Sequence, residues 1–96
     1  MKRPCAYMMA SRRNETLYGG ATSDLARRAY EHRAGLVDGF KNRYDCKFLV
    51  WCEPCERMDE AIAREKQIKG GSRAKKVALI AAMNLEWRDL YESLNA

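Results

Sequence analysis

Histidine is almost missing from this chain: His32 is alone among 96 residues. That argues against a zinc site of the histidine-rich kind, which needs several imidazoles. Long apolar runs are missing too. No stretch approaches the roughly 20 consecutive apolar residues of a membrane-spanning helix. The basic start followed by apolar residues has the order of a secretion signal. Its apolar piece, Cys5 to Ala10, is shorter than the roughly 7–15 residues such a core needs. The expectation is a cytoplasmic protein with no membrane partner. There is no internal repeat and no low-complexity segment, and the length suits one domain, residues 1–96, with one modest core.

What the chain has is positive charge in clusters. Net charge is +5, with a pI near 9.2. The string REKQIKGGSRAKK, residues 64–76, carries six cations and one anion. Arg27, Arg28 and Arg33 form a second group around His32. A lone run of this kind can be no more than a solvated helix face. Two runs flanking unusual polar residues point to a polyanionic partner. The four cysteines, Cys5, Cys46, Cys52 and Cys55, are expected to stay reduced in a cytoplasmic setting.

Residues 4–10 (PCAYMMA) read as a strand, 11–15 as a turn, and 16–21 (TLYGGA) as a second strand, together an antiparallel hairpin. Thr22 or Ser23 can cap a helix with Asp24 in its first turn, running to about Ala34 and stopping at Gly35. Residues 35–45 read as a loop, and 46–52 (CKFLVWC) as a third strand. A second helix covers 57–69 and ends at Gly70-Gly71. Ser72 can cap a third, through about Met83. Asn84 can cap a last one, in which Trp87, Leu90, Tyr91 and Leu94 recur at helical spacing. The order β-β-α-β-α-α-α predicts an α/β (α+β) fold: a small three-stranded, largely antiparallel sheet flanked by helices. Strand order is not determined by these patterns.

Several residues break these patterns. Met58, Ala61, Ile62 and Ile68 form the apolar stripe of the second helix, and its next inward position is Glu65. A carboxylate there needs a cation, a metal or a hydrogen-bond donor, because burying it alone is costly. An ion pair with an arginine and a role as metal ligand or general base both satisfy that need. Arg28 and His32 are four apart, on one helix face. Such a pair suits phosphate, with a guanidinium that forks to two oxygens and an imidazole that exchanges a proton. Tyr7 and Tyr18 stand on the hairpin, where tyrosines commonly serve packing. Gly19 and Gly20 follow Tyr18 and weaken the strand, which suggests close approach of something to the backbone. A rival motif is FLVWCEPCERMDEAI, which resembles the strand–CxxC–helix redox motif of thioredoxin-like proteins. A hairpin before it and only helices after it do not suit that fold. Zinc on Cys52 and Cys55 would need two more ligands, and no spacing offers them.

Taken together, AYMMASRRNETLYGGATSDLARRAYEH, AIAREKQIKGGSRAKK and NLEWRDLY resemble the GIY-YIG nuclease family. The likeness is to small stand-alone bacterial members related to the nuclease domain of the ABC excinuclease, and covers about Ala6 to Tyr91. It places Tyr7 in the first motif, Tyr18 and Gly20 at the outer places of the second, Arg28 and His32 on the following helix, and Glu65 as the ligand of one divalent cation. Asn84 matches an asparagine near the domain's end. The first motif lacks its glycine and isoleucine, Gly19 stands where a branched apolar residue is usual, and Ala21 replaces a lysine. The glycine is expected to loosen the strand and reduce activity.

The resemblance implies a metal-dependent endonuclease cutting DNA, with RNA not excluded. Low sequence specificity, a structured or single-stranded substrate and a part in repair or processing go with it. Mg²⁺ or Mn²⁺ on Glu65 would act as a Lewis acid. Arg28 would stabilise charge at phosphorus, and Tyr7 by preference, or Tyr18, would take a proton from water with help from His32. Arg27, Lys66, Lys69, Arg73, Lys75 and Lys76 would follow the phosphate backbone. Two other readings stay open: a nucleic-acid-binding module with a decayed active site, supported by Gly19, and a thiol-redox protein using Cys52 and Cys55.

Overall fold

The computed structural model describes residues 3–12, 15–34 and 46–95. The expected loop at 35–45 lies outside the described residues. Three strands, β1 (Cys5–Ala10), β2 (Leu17–Thr22) and β3 (Phe48–Pro54), form one antiparallel sheet in the order β2-β1-β3. The helices are α1 (Leu25–Arg33), α2 (Met58–Lys69) and α3 (Arg73–Met83), followed by a 3-10 segment over Leu90–Asn95. The expected mixed fold and element order are therefore found.

Central position explains why all six residues of β1 are buried. Successive side chains alternate between faces, and each face carries its own core. Ala6, Met8 and Ala10 pack with Ile68 of α2 and Ile80 of α3. Cys5, Tyr7 and Met9 pack with Leu25 and Ala29 of α1. The sheet is thus a shared floor with a helical layer on either side. Opposite β3 the register slips: Met8 pairs with Trp51 but Met9 with Leu49. Val50 is the extra residue of a bulge, and Val50 and Trp51 then share one core although adjacent in sequence.

The ends of several elements differ from expectation, each for a local reason. The cap of α1 is Asp24, whose carboxylate accepts the Arg27 N–H at 3.3 Å. Thr22 closes the preceding turn, its hydroxyl accepting from Asp24 N at 3.1 Å. β3 begins two residues later than expected and runs through Pro54, an edge position where a missing N–H is tolerated. On α2, Glu60 reaches back to accept from the N–H groups of Glu56 and Arg57, both at 3.1 Å.

The expected last helix does not start at Asn84; among the described residues it is a 3-10 segment over Leu90–Asn95. Asn84 instead follows the last turn of α3, and its amide is committed to backbone. It donates to Val50 O at 3.1 Å and Arg88 O at 2.8 Å, and accepts from Arg88 N at 3.0 Å. The chain turns there, with Trp87 in the left-handed region at φ 58°. Trp87 then joins one core, while Leu90, Tyr91 and Leu94 pack against the other. The four apolar residues that suggested one helical face belong to opposite faces of the sheet.

Candidate active site

Tyr7 points from the middle strand across β2. It pairs with Gly20, and a Cβ on Gly20 would stand 2.5 Å from Tyr7 Oη. Glycine there is a steric requirement: the ring lies where any side chain would be. The hydroxyl meets His32 Nε2 at 3.2 Å. Tyr18 leans on the same imidazole, with ring centroids 5.1 Å apart. Arg28, one turn before His32 on α1, carries a charge near enough to the Tyr7 hydroxyl to influence it. Two tyrosines, a histidine and an arginine from three elements thus converge at the β2 side of the sheet.

The electrostatics follow from burial. Tyr7 is only 1% exposed. Burial pushes its hydroxyl up to about 12, the Arg28 guanidinium pulls it back in part, and Tyr18 and Cys5 add to the rise. Burial works against the Arg28 charge, yet the Tyr7 hydroxyl, Glu31 and Tyr18 together outweigh it, and Arg28 is held above the ordinary arginine value. A cavity of about 560 Å³ opens beside this cluster, lined by Thr22, Ser23, Asp24, Arg27, Arg28 and Glu31.

Glu65 belongs to the inward stripe of α2, though not with all the neighbours expected. Ala61 and Ile68 are buried, but Ile62 is 39% exposed and lies off the stripe. The Glu65 side chain keeps 18% of its exposure, and its Oε2 takes the Lys69 ammonium at 2.6 Å. The ion-pair partner is thus a lysine one turn on, where an arginine was expected. Lys69 Nζ also stands 5.8 Å from the centroid of the Tyr18 ring. Contacts therefore run without a break from Glu65 through Lys69, Tyr18 and His32 to Tyr7 and Arg28.

Other expected site residues fall elsewhere. Asn84 is 7% exposed and bonded to the β3 backbone, on the sheet edge opposite β2. Arg27 is an exposed arginine paired with Glu31 at 3.4 Å. Lys66 is exposed on α2. Arg73 donates to Glu15 O at 2.7 Å and ties α3 to the hairpin. Lys75 and Lys76 line a separate cavity of about 510 Å³ between α2 and α3, together with Arg64. Gly19 faces ordinary contacts only, with Tyr7 O at 3.8 Å and Lys69 Cγ at 4.0 Å from a Cβ built there. Sequence reasoning missed Glu31, which also holds Arg28 at 3.2 Å, and the Glu65–Lys69 pair. Both have the three- or four-residue helix spacing that could have revealed them.

The thiol-redox reading does not survive. It needs a thiol at a helix N-terminus, where the dipole lowers its pKa. Cys52 lies inside β3, Cys55 just beyond it, and α2 starts only at Met58. Burial pushes the Cys52 thiol up, and burial with the neighbouring Cys52 and Cys55 pushes Cys5 to about 11. None of the four cysteines is in a disulfide.

A sheet edge carrying a tyrosine–histidine–arginine cluster and a half-buried carboxylate is suited to an anionic substrate. Comparison with known proteins makes the class definite. The model of the GIY-YIG catalytic domain matches residues 3–78, and the chain belongs to that family. It is therefore a domain of nuclease type whose substrate is nucleic acid. The chain is also 40% identical over 68 residues to a UPF0213 protein of Natronomonas pharaonis, covering 71% of this chain and 80% of the relative. No solved structure matches it. Among the described residues no helix is long and apolar enough to cross a membrane.

A divalent cation goes with the family, and the residues present fit one form of it. Among the described residues no three His, Cys, Asp or Glu side chains stand together as a metal cage. Mg²⁺ and its mimics commonly use one or two carboxylates, with water and substrate phosphate filling the remaining positions. Glu65, half-buried and facing a cation already, suits that mode.

Proposed function

We propose that this protein is a metal-dependent endonuclease that hydrolyses phosphodiester bonds in DNA, with little sequence specificity, in the cytoplasm. The observation that carries this reading is the Tyr7 hydroxyl, which meets His32 Nε2 at 3.2 Å, with the Arg28 charge near enough to lower its pKa in part. A phenol of ordinary pKa is a poor base at neutral pH. Tyr7 Oη and His32 Nε2 stand 3.2 Å apart; with Nε2 unprotonated the hydroxyl can donate to the imidazole, and Arg28 offsets part of the rise that burial imposes. Tyr7 takes a proton from the attacking water as its own passes to His32 Nε2. Arg28 also faces the cavity beside α1, where it can meet the charge that grows at phosphorus. Tyr18 packs on the imidazole and holds its ring. Glu65 would hold Mg²⁺ or Mn²⁺, which supplies Lewis-acid stabilisation of the phosphate and leaving oxygens. Among the described residues no element on these faces is shaped to read bases, so phosphate contacts dominate affinity. A structured or single-stranded DNA met in repair is the substrate best suited to an open strand edge.

Glu65→Gln tests the reading. Its partner Lys69 is 53% exposed, so a lysine left alone turns to water. The loss of stability is then at most about 0.5 kcal/mol. The expected result is a folded protein that binds labelled DNA in Mn²⁺ but does not nick it. A folded Glu65→Gln that nicks at the parent rate would overturn the assignment.

A further inference from the structure

Glu65 precedes Lys69 by four residues on α2, the favourable order for a helical ion pair. At 2.6 Å the contact is a short charge-assisted hydrogen bond. The lysine is also braced along its length. Its Cγ stands 4.0 Å from where a Cβ on Gly19 would be, on the α2 face of β2. Its ammonium stands over the Tyr18 ring at 5.8 Å, a cation–π distance. Lys69 is therefore laid against the strand edge with its charge on the carboxylate that is the candidate cation ligand.

We propose that Lys69 is an internal counter-ion: it occupies Glu65 in the free protein and must be drawn away by substrate phosphate before Glu65 accepts a divalent cation. The inference rests on Glu65 being the metal ligand. An ammonium on Oε2 removes a ligand position and repels a doubly charged ion. Phosphate is the anion that can replace Glu65 as its partner, since Lys69 is half exposed beside the tyrosine cluster. Nucleic acid then raises metal affinity, and by reciprocity metal raises nucleic-acid affinity. Cleavage chemistry is assembled only on substrate. A merely structural pair would leave metal affinity unmoved by the charge at position 69.

The test is Mn²⁺ binding, read by electron paramagnetic resonance of the free ion. It uses the full chain, Lys69→Met, Lys69→Arg and Glu65→Gln, each with and without a phosphorothioate oligonucleotide. Methionine keeps the stem that lies on Gly19 and removes the charge. Without oligonucleotide, Lys69→Met is expected to bind Mn²⁺ roughly thirtyfold tighter than the parent. That is the order expected on removing a unit charge about 4 Å from a divalent ion in a water-like medium. Lys69→Arg should resemble the parent, and oligonucleotide should narrow the gap between the parent and Lys69→Met. If Lys69→Met binds within twofold of the parent while Glu65→Gln loses Mn²⁺, the counter-ion role is overturned alone. A gap unmoved by oligonucleotide overturns the coupling to substrate. If Glu65→Gln binds Mn²⁺ as the parent does, the metal assignment fails and the counter-ion role with it. Should Lys69→Met not fold, Lys69→Gln carries the same comparison.

Discussion

Alanine at Gly20 and alanine at Gly19 should have opposite effects, although the two positions adjoin on one strand. A methyl at Gly20 would stand 2.5 Å from Tyr7 Oη, 2.6 Å from Cζ and 2.9 Å from Cε1. Carbon atoms in good contact are about 3.5–4.0 Å apart, so the ring must move by roughly an ångström. It has little room, being 1% exposed and hydrogen-bonded to His32. An extra methyl in a packed core costs about 1–3 kcal/mol. Removing a strand glycine returns about 0.5–1 kcal/mol, leaving Gly20→Ala less stable by roughly 0.5–2 kcal/mol. At Gly19 the same methyl meets Tyr7 O at 3.8 Å and Lys69 Cγ at 4.0 Å. No clash opposes the backbone gain there, and Gly19→Ala should be more stable by about 0.4–1 kcal/mol. With a urea slope near 1 kcal/mol/M, typical of the smallest domains, the two midpoints should differ by roughly 1–3 M. Gly20→Ala should also nick DNA poorly, because displacing Tyr7 breaks its contact with His32. If Gly20→Ala unfolds at the same urea concentration as Gly19→Ala, Tyr7 does not lie across Gly20, and the site built on that ring is wrong.

Alkaline pH should expose the buried hydroxyl. Tyr7 has an ordinary value of 10 and is raised to about 12 by burial. Its contribution to stability is complete below pH 10 and is lost as pH climbs to about 12, at most roughly 3 kcal/mol. Urea midpoints across that range should fall for the parent. Tyr7→Phe should keep only the losses due to the buried thiols, Cys5 with a window of pH 9 to about 11 and Cys52, also raised by burial; equal slopes above pH 11 would refute the assignment. Arg28→Ala should lower turnover by about 10²-fold, or ~3 kcal/mol, with little change in DNA affinity at fixed salt; equal losses in both would make it an ordinary phosphate contact. Cys52→Ser with Cys55→Ser should stay folded and nick within a few-fold of the parent. Zinc found bound to the parent and absent from that double variant would restore a structural role for the thiols.

What could be read from the sequence, and what could not, divides along the range of the interaction. The strands of the hairpin, α1 and the stretch from Met58 to Met83 follow from local patterns: alternation, helical spacing, glycines and a cap at Ser72. Glu65 stood out because it interrupts a local stripe, and its half-buried position bears the pattern out even though Ile62 does not belong to it. The misjudged C-terminus shows the limit. Trp87, Leu90, Tyr91 and Leu94 keep helical spacing, yet Asn84 binds Val50 O, 34 residues away in sequence. That contact turns the chain and sends the apolar residues to two cores. Nothing in their spacing reports it. Asn84 likewise looked like a site residue, and only the β3 backbone shows where its amide is engaged.

The site itself combines both kinds of information. Arg28 and His32 share a face by local geometry, but the hydroxyl that joins them comes from Tyr7, on a strand whose partner register sets it opposite Gly20. Had the register slipped by one residue, Tyr7 would face the other core and lie opposite Gly19 or Ala21 in place of Gly20. The second glycine has a different part. The Gly20 position is filled by the Tyr7 ring, while Gly19 has only ordinary contacts on its face and leaves the edge of β2 low there. Such an edge is an invitation to another strand. Lys69, folded over Gly19 with its charge at the edge, blunts that invitation as edge lysines do elsewhere. Placing a charge there meets a demand of the fold, and the carboxylate that pairs with it is the proposed cation ligand. The two demands coincide on one turn of α2, so the charge on Lys69 should influence both metal binding and the tendency of the chain to self-associate.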